Sequence, residues 1–416
     1  MSKTTKFSRR KLLTSSALLA AGGLTLKQRN GHAQSTLVPD DSTKVLGAVP
    51  TAVGSRSPFE NIGREVGRFL PDGFSTTPLE NLSGIITPAD LHFERHHAGV
   101  PSIDPEQYEL MIHGLVDRAL KFRLEDLRRF PSVSRICFIE CSGNGYQTSL
   151  DPAKIPEEIT PGQLDGMSST SEWTGVRLAT LLKEVGARSS ATWFLAEGQD
   201  AAVMTRSIPM AKAWDDALVA YAQNGEPLRP EQGYPVRLLL PGWEGNSSVK
   251  WLRRIEVGDA PFMTREETAK YSDARPGGKI EMFTFTMGPK SLITSPTFPR
   301  ILPGSGWFEL SGLAWSGHGK VDRVDISVDG GNSWQSATLH PPVLSKCTTR
   351  FTFPWYWDGK PALFMSRATD DRGFRQPDHS EMRRGNGPAT FYHNNVIRPW
   401  HVDGDGRITF GLRSMV

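Results

Sequence analysis

The apolar run Ile136-Cys137-Phe138-Ile139-Glu140-Cys141 leads directly into Ser142-Gly143-Asn144-Gly145, so Cys141 stands where a strand gives way to a glycine-rich turn. A side chain at such a junction projects into a cleft. Three chemistries are open to it: an inert buried thiol, a thiolate ligand to a metal, or a reactive or bonded thiol. Cys137 shares its strand parity but lies about 13 Å away along an extended chain, too far to share one metal ion. Cys347 has no spacing that pairs it with either, and 3 cysteines make no disulfide framework.

A second cluster is Leu91-His92-Phe93-Glu94-Arg95-His96-His97. His92 and His96 would face one side of a helix as zinc ligands, although the His-Glu-x-x-His pattern is missing. A hydrogen-bonded histidine cluster accounts for the same residues. Arg95 would hold an oxyanion through a bidentate, charge-assisted contact, which suits an anionic substrate. Arg177, Arg237 and Lys250 stand where turns meet strand or helix candidates; each alone reads as a surface charge, and a phosphate-bearing cofactor makes the set coherent. No haem-attachment motif, P-loop or dinucleotide fingerprint accompanies them.

The elements that must position these groups alternate irregularly. Residues 108–114 and 134–141 read as strands, while 124–130 and 178–185 carry helical spacing. An apolar segment over 216–222 and the run 234–243 complete a mixed α+β domain. Residues 34–89 are broken by glycine and proline and predict an irregular arm. Stretches rich in the same residues, 274–278 and 287–303, predict a linker. Beyond them Val324, Ile326 and Val328 alternate with polar residues, Asp329 to Trp334 supplies a hairpin turn, and short strands follow at 349–354, 362–368 and 408–412. That pattern predicts an antiparallel sandwich of immunoglobulin-like type, without the Cys-Trp-Cys spacing of antibody domains.

The charge is unevenly spread. The chain of 416 residues has 48 Lys plus Arg against 45 Asp plus Glu, net +3. The first 33 residues hold seven of the basic groups and no acidic one, leaving 41 basic against 45 acidic and a net of −4. Ser8-Arg9-Arg10-Lys11-Leu12-Leu13, followed by a small-residue apolar run and Gly31-His32-Ala33, reads as a twin-arginine export signal over 1–33. The run is too short for a membrane span, and no basic stripe points to nucleic acid. A periplasmic location is expected.

Several motifs occur in a common order: Phe93-x-Arg95-x-His97, Cys141-Ser142-Gly143-Asn144, Trp173 to Leu178, Gly233-Tyr234-Pro235-Val236-Arg237 through Val249-Lys250-Trp251, and Ala314-Trp315-Ser316-Gly317 followed by Asp329-Gly330-Gly331-x-x-Trp334. Over residues 80–416 the chain resembles the sulfite oxidase family of molybdenum enzymes, above all its exported bacterial sulfite and sulfane dehydrogenase members. The resemblance implies an α+β molybdopterin domain over 90–280 and an immunoglobulin-like dimerisation domain over 281–416. It implies a molybdenum-molybdopterin cofactor with Cys141 as the metal thiolate, Arg95 and Tyr271 at the substrate, and His97, Arg237 and Lys250 at the pterin or its phosphate. The chain carries no haem motif, so a separate c-type cytochrome is the expected electron acceptor, and a sulfur-carrier protein the expected substrate carrier. Three departures stand out. Gly145 and Tyr146 replace two arginines of the family pattern, Gln232 replaces a histidine, and no second-domain arginine for the anion is evident. A less cationic pocket favours carrier-bound sulfane sulfur over free sulfite, with sulfite dehydrogenase as the alternative; an exported scaffold without metal is the alternative of another class.

Overall fold

The computed structural model describes residues 47–68, 73–149, 152–387 and 391–415. The expected export signal lies outside them. Residues 61–416 form one compact unit. None of its described helices is long and apolar enough to cross a membrane.

The first half is α+β. A mixed sheet runs in the order Leu120–Phe122, Leu110–Gly114, Leu252–Gly258, Trp193–Gly198, Thr205–Pro209, with Leu110–Gly114 and Leu252–Gly258 parallel and the other pairs antiparallel. The expected strand at 108–114 is therefore present, its Leu110 and Ile112 wholly buried. The helix Leu178–Val185 covers this core with Leu178, Leu181, Leu182 and Val185, spaced to share one face. It stops at Gly186, whose φ of +66° a side chain would resist. Truncating Leu181 to alanine would cost about 2–5 kcal/mol.

A second sheet has the order Glu226–Pro227, Leu218–Gln223, Ser168–Arg177, Ser132–Glu140, with Arg237–Leu239 also paired to Leu218–Gln223. Ser132–Glu140 becomes buried on both faces toward its end. Cys137 and Ile139 pack with Trp173 and Leu218, while Phe138 packs with Leu292, Leu313 and Trp315 from the second half of the chain. Cys141 is thus delivered at the end of a strand clamped between two cores.

Two expectations need correction. The lead-in predicted as irregular contains the strands Glu65–Arg68 and Gly73–Thr76, which form a three-stranded sheet with Glu94–His96 and set Phe74 opposite Arg95. Four-residue strands containing glycine carry too little periodicity to be read locally; their partner makes them strands. The stretch 287–303 is no simple linker, because Lys290–Ser295 is a strand whose first five residues are buried. Its polar members Lys290 and Ser291 mimic a surface segment but meet buried partners, Glu140 and Gln376. The other glycine-rich stretch turns a hairpin between Ser272–Arg275 and Lys279–Met282.

The second half is rich in β-structure. One sheet has the order Lys290–Ser295, Gly306–Trp315, Thr349–Trp357, Thr338–His340; the other has Gln335–Ser336, Val321–Ser327, Ala362–Asp370, Trp400–Val402, Ile408–Phe410. Residues of both, among them Leu310, Phe351, Val324, Phe364 and Trp400, share one apolar core. The expected hairpin around Asp329 joins Val321–Ser327 to Gln335–Ser336.

Candidate active site

Arg95, His97, Cys141, Arg237, Lys250 and Tyr271 all line one cavity of about 670 Å³. They reach it from separate elements. Arg95 is central in Glu94–His96 and His97 follows it; Cys141 follows Ser132–Glu140; Arg237 opens Arg237–Leu239; Lys250 precedes Leu252–Gly258; Tyr271 follows the short helix Arg265–Thr268. Arg177, grouped with the other cations on sequence grounds, is exposed on the Asp215 carbonyl and does not line the cavity.

The turn that carries Cys141 is tied down by backbone and by Asn144. Cys141 N–H donates to the Met167 carbonyl, and Asn144 N–H donates to that of Cys141, both at 2.9 Å. The Asn144 amide donates to the Asp165 carbonyl and the Glu140 carboxylate, and its oxygen accepts from Met167 N–H. Burial pushes the Cys141 thiol up, against the backbone hydrogen bond at Gly143 and the charge of Arg95. A metal cation at Sγ would reverse that balance and hold the thiolate.

Two further cations line the same cavity. Arg237 is buried, donates to the Gln232 and Ser248 carbonyls, and stacks 5.0 Å over Trp173. Lys250 donates to the Glu231 carbonyl and sits 4.5 Å over Trp251. Neither forms an ion pair with a described carboxylate. Burial, and for Lys250 the charge of Arg237 as well, draws Lys250 down to about 7 and Arg237 to about 9. Two enclosed cations held below their ordinary range form a site for an anion such as a phosphate. Gln232, which replaces the family histidine, donates to the Phe93 carbonyl at 2.9 Å and lies against Arg237, so the amide braces the cation without adding charge.

The histidines divide. Burial pushes His92 down to about 3, so it is neutral; its Nδ1 lies 3.1 Å from the Phe93 carbonyl, leaving buried Nε2 as an acceptor with no hydrogen-bond partner among the described residues. That atom suits an N–H donor of a pterin. The zinc alternative fails on geometry: His92 and His96 sit on extended backbone rather than one helix face, and no described group of His, Cys, Asp or Glu could hold an ion by itself. A lone thiolate, two cations and an orphaned acceptor fit a metal that brings its own organic ligand.

Sequence reasoning missed the shelf beneath Tyr271. Arg206, fully buried, pairs with Glu267 at 2.9 Å and Glu244 at 3.0 Å, also meets Asn246, and lies 5.2 Å from the Tyr271 ring centroid. The available signal was weak, a lone charge in the segment Thr205–Pro209, whose neighbours Thr205 and Ser207 are also polar. His393, from the second half, donates its backbone N–H to the Ser142 carbonyl at 2.8 Å.

A second cavity, about 1240 Å³, shares Arg95, His97, Cys141 and Tyr271 with the first and is otherwise lined largely by Phe74, Tyr146, Met167, Phe391 and Tyr392, with Lys270 as a further cation. Tyr146 and Phe391 lie 5.5 Å apart. Tyr146, which stands in place of a family arginine, thus gives this side of Cys141 an aromatic wall.

Two family models match the chain: an oxidoreductase molybdopterin binding domain over residues 97–266 and a Mo-co oxidoreductase dimerisation domain over 281–399. The crystal structure of the sulfane dehydrogenase SoxCD from Paracoccus pantotrophus is 39% identical, with a TM-score of 0.81 over 89% of this chain and 97% of that one. Mitochondrial sulfite oxidase of Mus musculus is 32% identical over 73% of this chain and 60% of its own length. NADH nitrate reductase of Ulva prolifera is 30% identical over 66% of this chain and 34% of its own. The chain therefore spans between a third and three fifths of these two curated relatives.

Proposed function

This chain belongs to the molybdopterin-binding oxidoreductases of the sulfite oxidase family, and we propose that within it the protein is the molybdenum-carrying subunit of a periplasmic sulfane dehydrogenase, oxidising sulfane sulfur borne by a carrier protein. The observation that carries this reading is the cavity beside Cys141, where Tyr146 stands in place of a family arginine and Phe74, Met167, Phe391 and Tyr392 outnumber the cations Arg95 and Lys270. A bare dianion such as sulfite prefers cations; a sulfur atom on an organic arm prefers aromatic and thioether walls. On this reading residues 90–280 are the molybdopterin domain, 281–416 an immunoglobulin-like sandwich that pairs two copies, and a separate c-type cytochrome takes the electrons.

Cys141 would hold the metal, His97, Arg237 and Lys250 the pterin and its phosphate. When bound, the cofactor supplies oxygen-atom transfer to sulfur and a two-electron change that leaves in single steps. The chain's own contribution is positional and electrostatic. Arg95 fixes the developing oxyanion, the Tyr271 hydroxyl holds a proton against His97, and the buried Arg206 holds the Tyr271 ring in place.

Molybdenum analysis together with pterin fluorescence of the purified protein tests the reading. One metal per chain and pterin are expected, with turnover lost in Cys141→Ser. Cytochrome c reduction with a persulfide-bearing carrier should exceed that with sulfite. Efficient turnover of sulfite without any carrier would make the enzyme a sulfite dehydrogenase, and absence of both metal and pterin would leave a non-catalytic exported protein.

A further inference from the structure

We propose that Lys290 and Arg398, both from the β-rich second half of the chain, are positioning residues for Cys141, acting through Glu140, Asp165 and Asn144. This rests on the reading of Cys141 as the metal thiolate. The connection is continuous. Glu140 immediately precedes Cys141, and one of its oxygens accepts from Lys290 Nζ at 2.6 Å and from the Asn144 amide at 3.0 Å. The other accepts from the Trp315 indole at 2.7 Å. Asp165 receives Arg398 through two bonds, 2.6 and 3.0 Å, and Lys290 at 3.3 Å, while its carbonyl accepts the Asn144 amide at 2.8 Å.

All four charged groups are essentially inaccessible to water, and two carboxylates balance two cations. Each oxygen of Glu140 and Asp165 is satisfied. Asn144 joins Glu140 and Asp165 to the Cys141 turn through its amide N–H groups, while its carbonyl oxygen accepts from Met167 N–H.

Arg398 also resolves a departure noted in the sequence. A Cβ on Gly145 would lie 2.2 Å from Arg398 Nη2 and 2.6 Å from Asp165 Oδ1. The guanidinium from the second half of the chain thus fills the space into which a side chain at 145 would grow. Where the family pattern has an arginine after the Cys-x-Gly-Asn motif, this chain brings one from far downstream and neutralises it on Asp165. It lines neither cavity, so its action on the site passes through the turn. The same segment adds two more grips, His393 N–H on the Ser142 carbonyl and Asn394 Oδ1 accepting from the Thr148 hydroxyl at 2.9 Å.

The test uses the metal-loaded full chain, with the molybdenum(V) electron paramagnetic resonance spectrum and metal content measured beside kcat. Arg398→Met should lower kcat by about tenfold or more, as loss of an outer hydrogen-bond partner of a metal ligand does. It should also shift the g-values, with KM little changed, and Arg398→Lys should return part of both. Arg398→Met leaves Asp165 with Lys290 alone and risks misfolding. The pair Glu140→Gln with Lys290→Met removes opposite charges together and is expected to shift the same spectrum. Folded, loaded variants with wild-type spectra and kcat would overturn the positioning role. A wild-type protein without molybdenum would instead overturn the cofactor reading on which it rests.

Discussion

The imidazole Nε2 of His97 and the hydroxyl of Tyr271 lie 3.0 Å apart, although 174 residues separate them in sequence. Burial first, and the neighbouring Cys141 next, push the Tyr271 phenol well above its ordinary range, so it keeps its proton at neutral pH. Tyr271→Phe removes one hydrogen bond at the mouth of the cofactor cavity while preserving the ring over Arg206. We expect kcat/KM to fall by about ten- to a hundredfold, equivalent to about 1.4–2.8 kcal/mol, with the melting temperature nearly unchanged. Steady-state kinetics within twofold of wild type would show that the hydroxyl takes no part.

Lys250 ties stability of the cofactor-free protein to pH. Its ammonium sits at about 7 in the folded chain against 10.5 ordinarily, through burial and then Arg237. Between those values the unfolded chain binds a proton that the folded chain does not, so raising the pH favours folding. The melting temperature of cofactor-free protein should rise from pH 6.5 to 9 by more than that of Lys250→Met, and parallel curves for the two would refute the assignment.

Phe391 is 46% exposed and packs against Tyr146 in the wall of the aromatic cavity. Its ring has no role toward a small oxyanion held by Arg95. Phe391→Ala should therefore weaken kcat/KM for carrier-borne sulfur by roughly five- to thirtyfold, the range of one lost aromatic contact of about 1–2 kcal/mol, and leave sulfite turnover within about twofold. Equal losses on both substrates would mean that the ring supports the turn rather than reads the arm.

Gly145 has a φ of +75° as well as Arg398 and Asp165 where a Cβ would lie. Gly145→Ala combines backbone strain with a collision that must displace a buried ion pair. A loss of about 2 kcal/mol or more is expected in urea unfolding. A smaller loss would require the Arg398 guanidinium to relocate.

Much of the site was legible because its signals are local. Cys141 at the end of an apolar strand, the helical spacing of Leu178, Leu181, Leu182 and Val185, and the cations Arg237 and Lys250 beside strand boundaries all depend on neighbours within a few residues. The resemblance to molybdenum enzymes supplied the common purpose of these groups, and the fold brings them to one cavity. The buried Arg206 was missed because a charge inside a strand reads as surface until its carboxylate partners, Glu244 and Glu267, are known.

Residue order by itself determined the strand that ends at Cys141, the apolar faces that close the first core and the hairpin at Asp329. Tertiary structure alone decided that Lys290–Ser295 is a buried strand, that Glu65–Arg68 and Gly73–Thr76 extend the sheet bearing Arg95, and that Arg398 occupies the space beside Gly145. The physical reason is the range of the forces involved. Periodicity records which face of a segment avoids water, whereas a buried charge is tolerable only beside its opposite, and where that opposite lies is settled when distant parts of the chain close on one another.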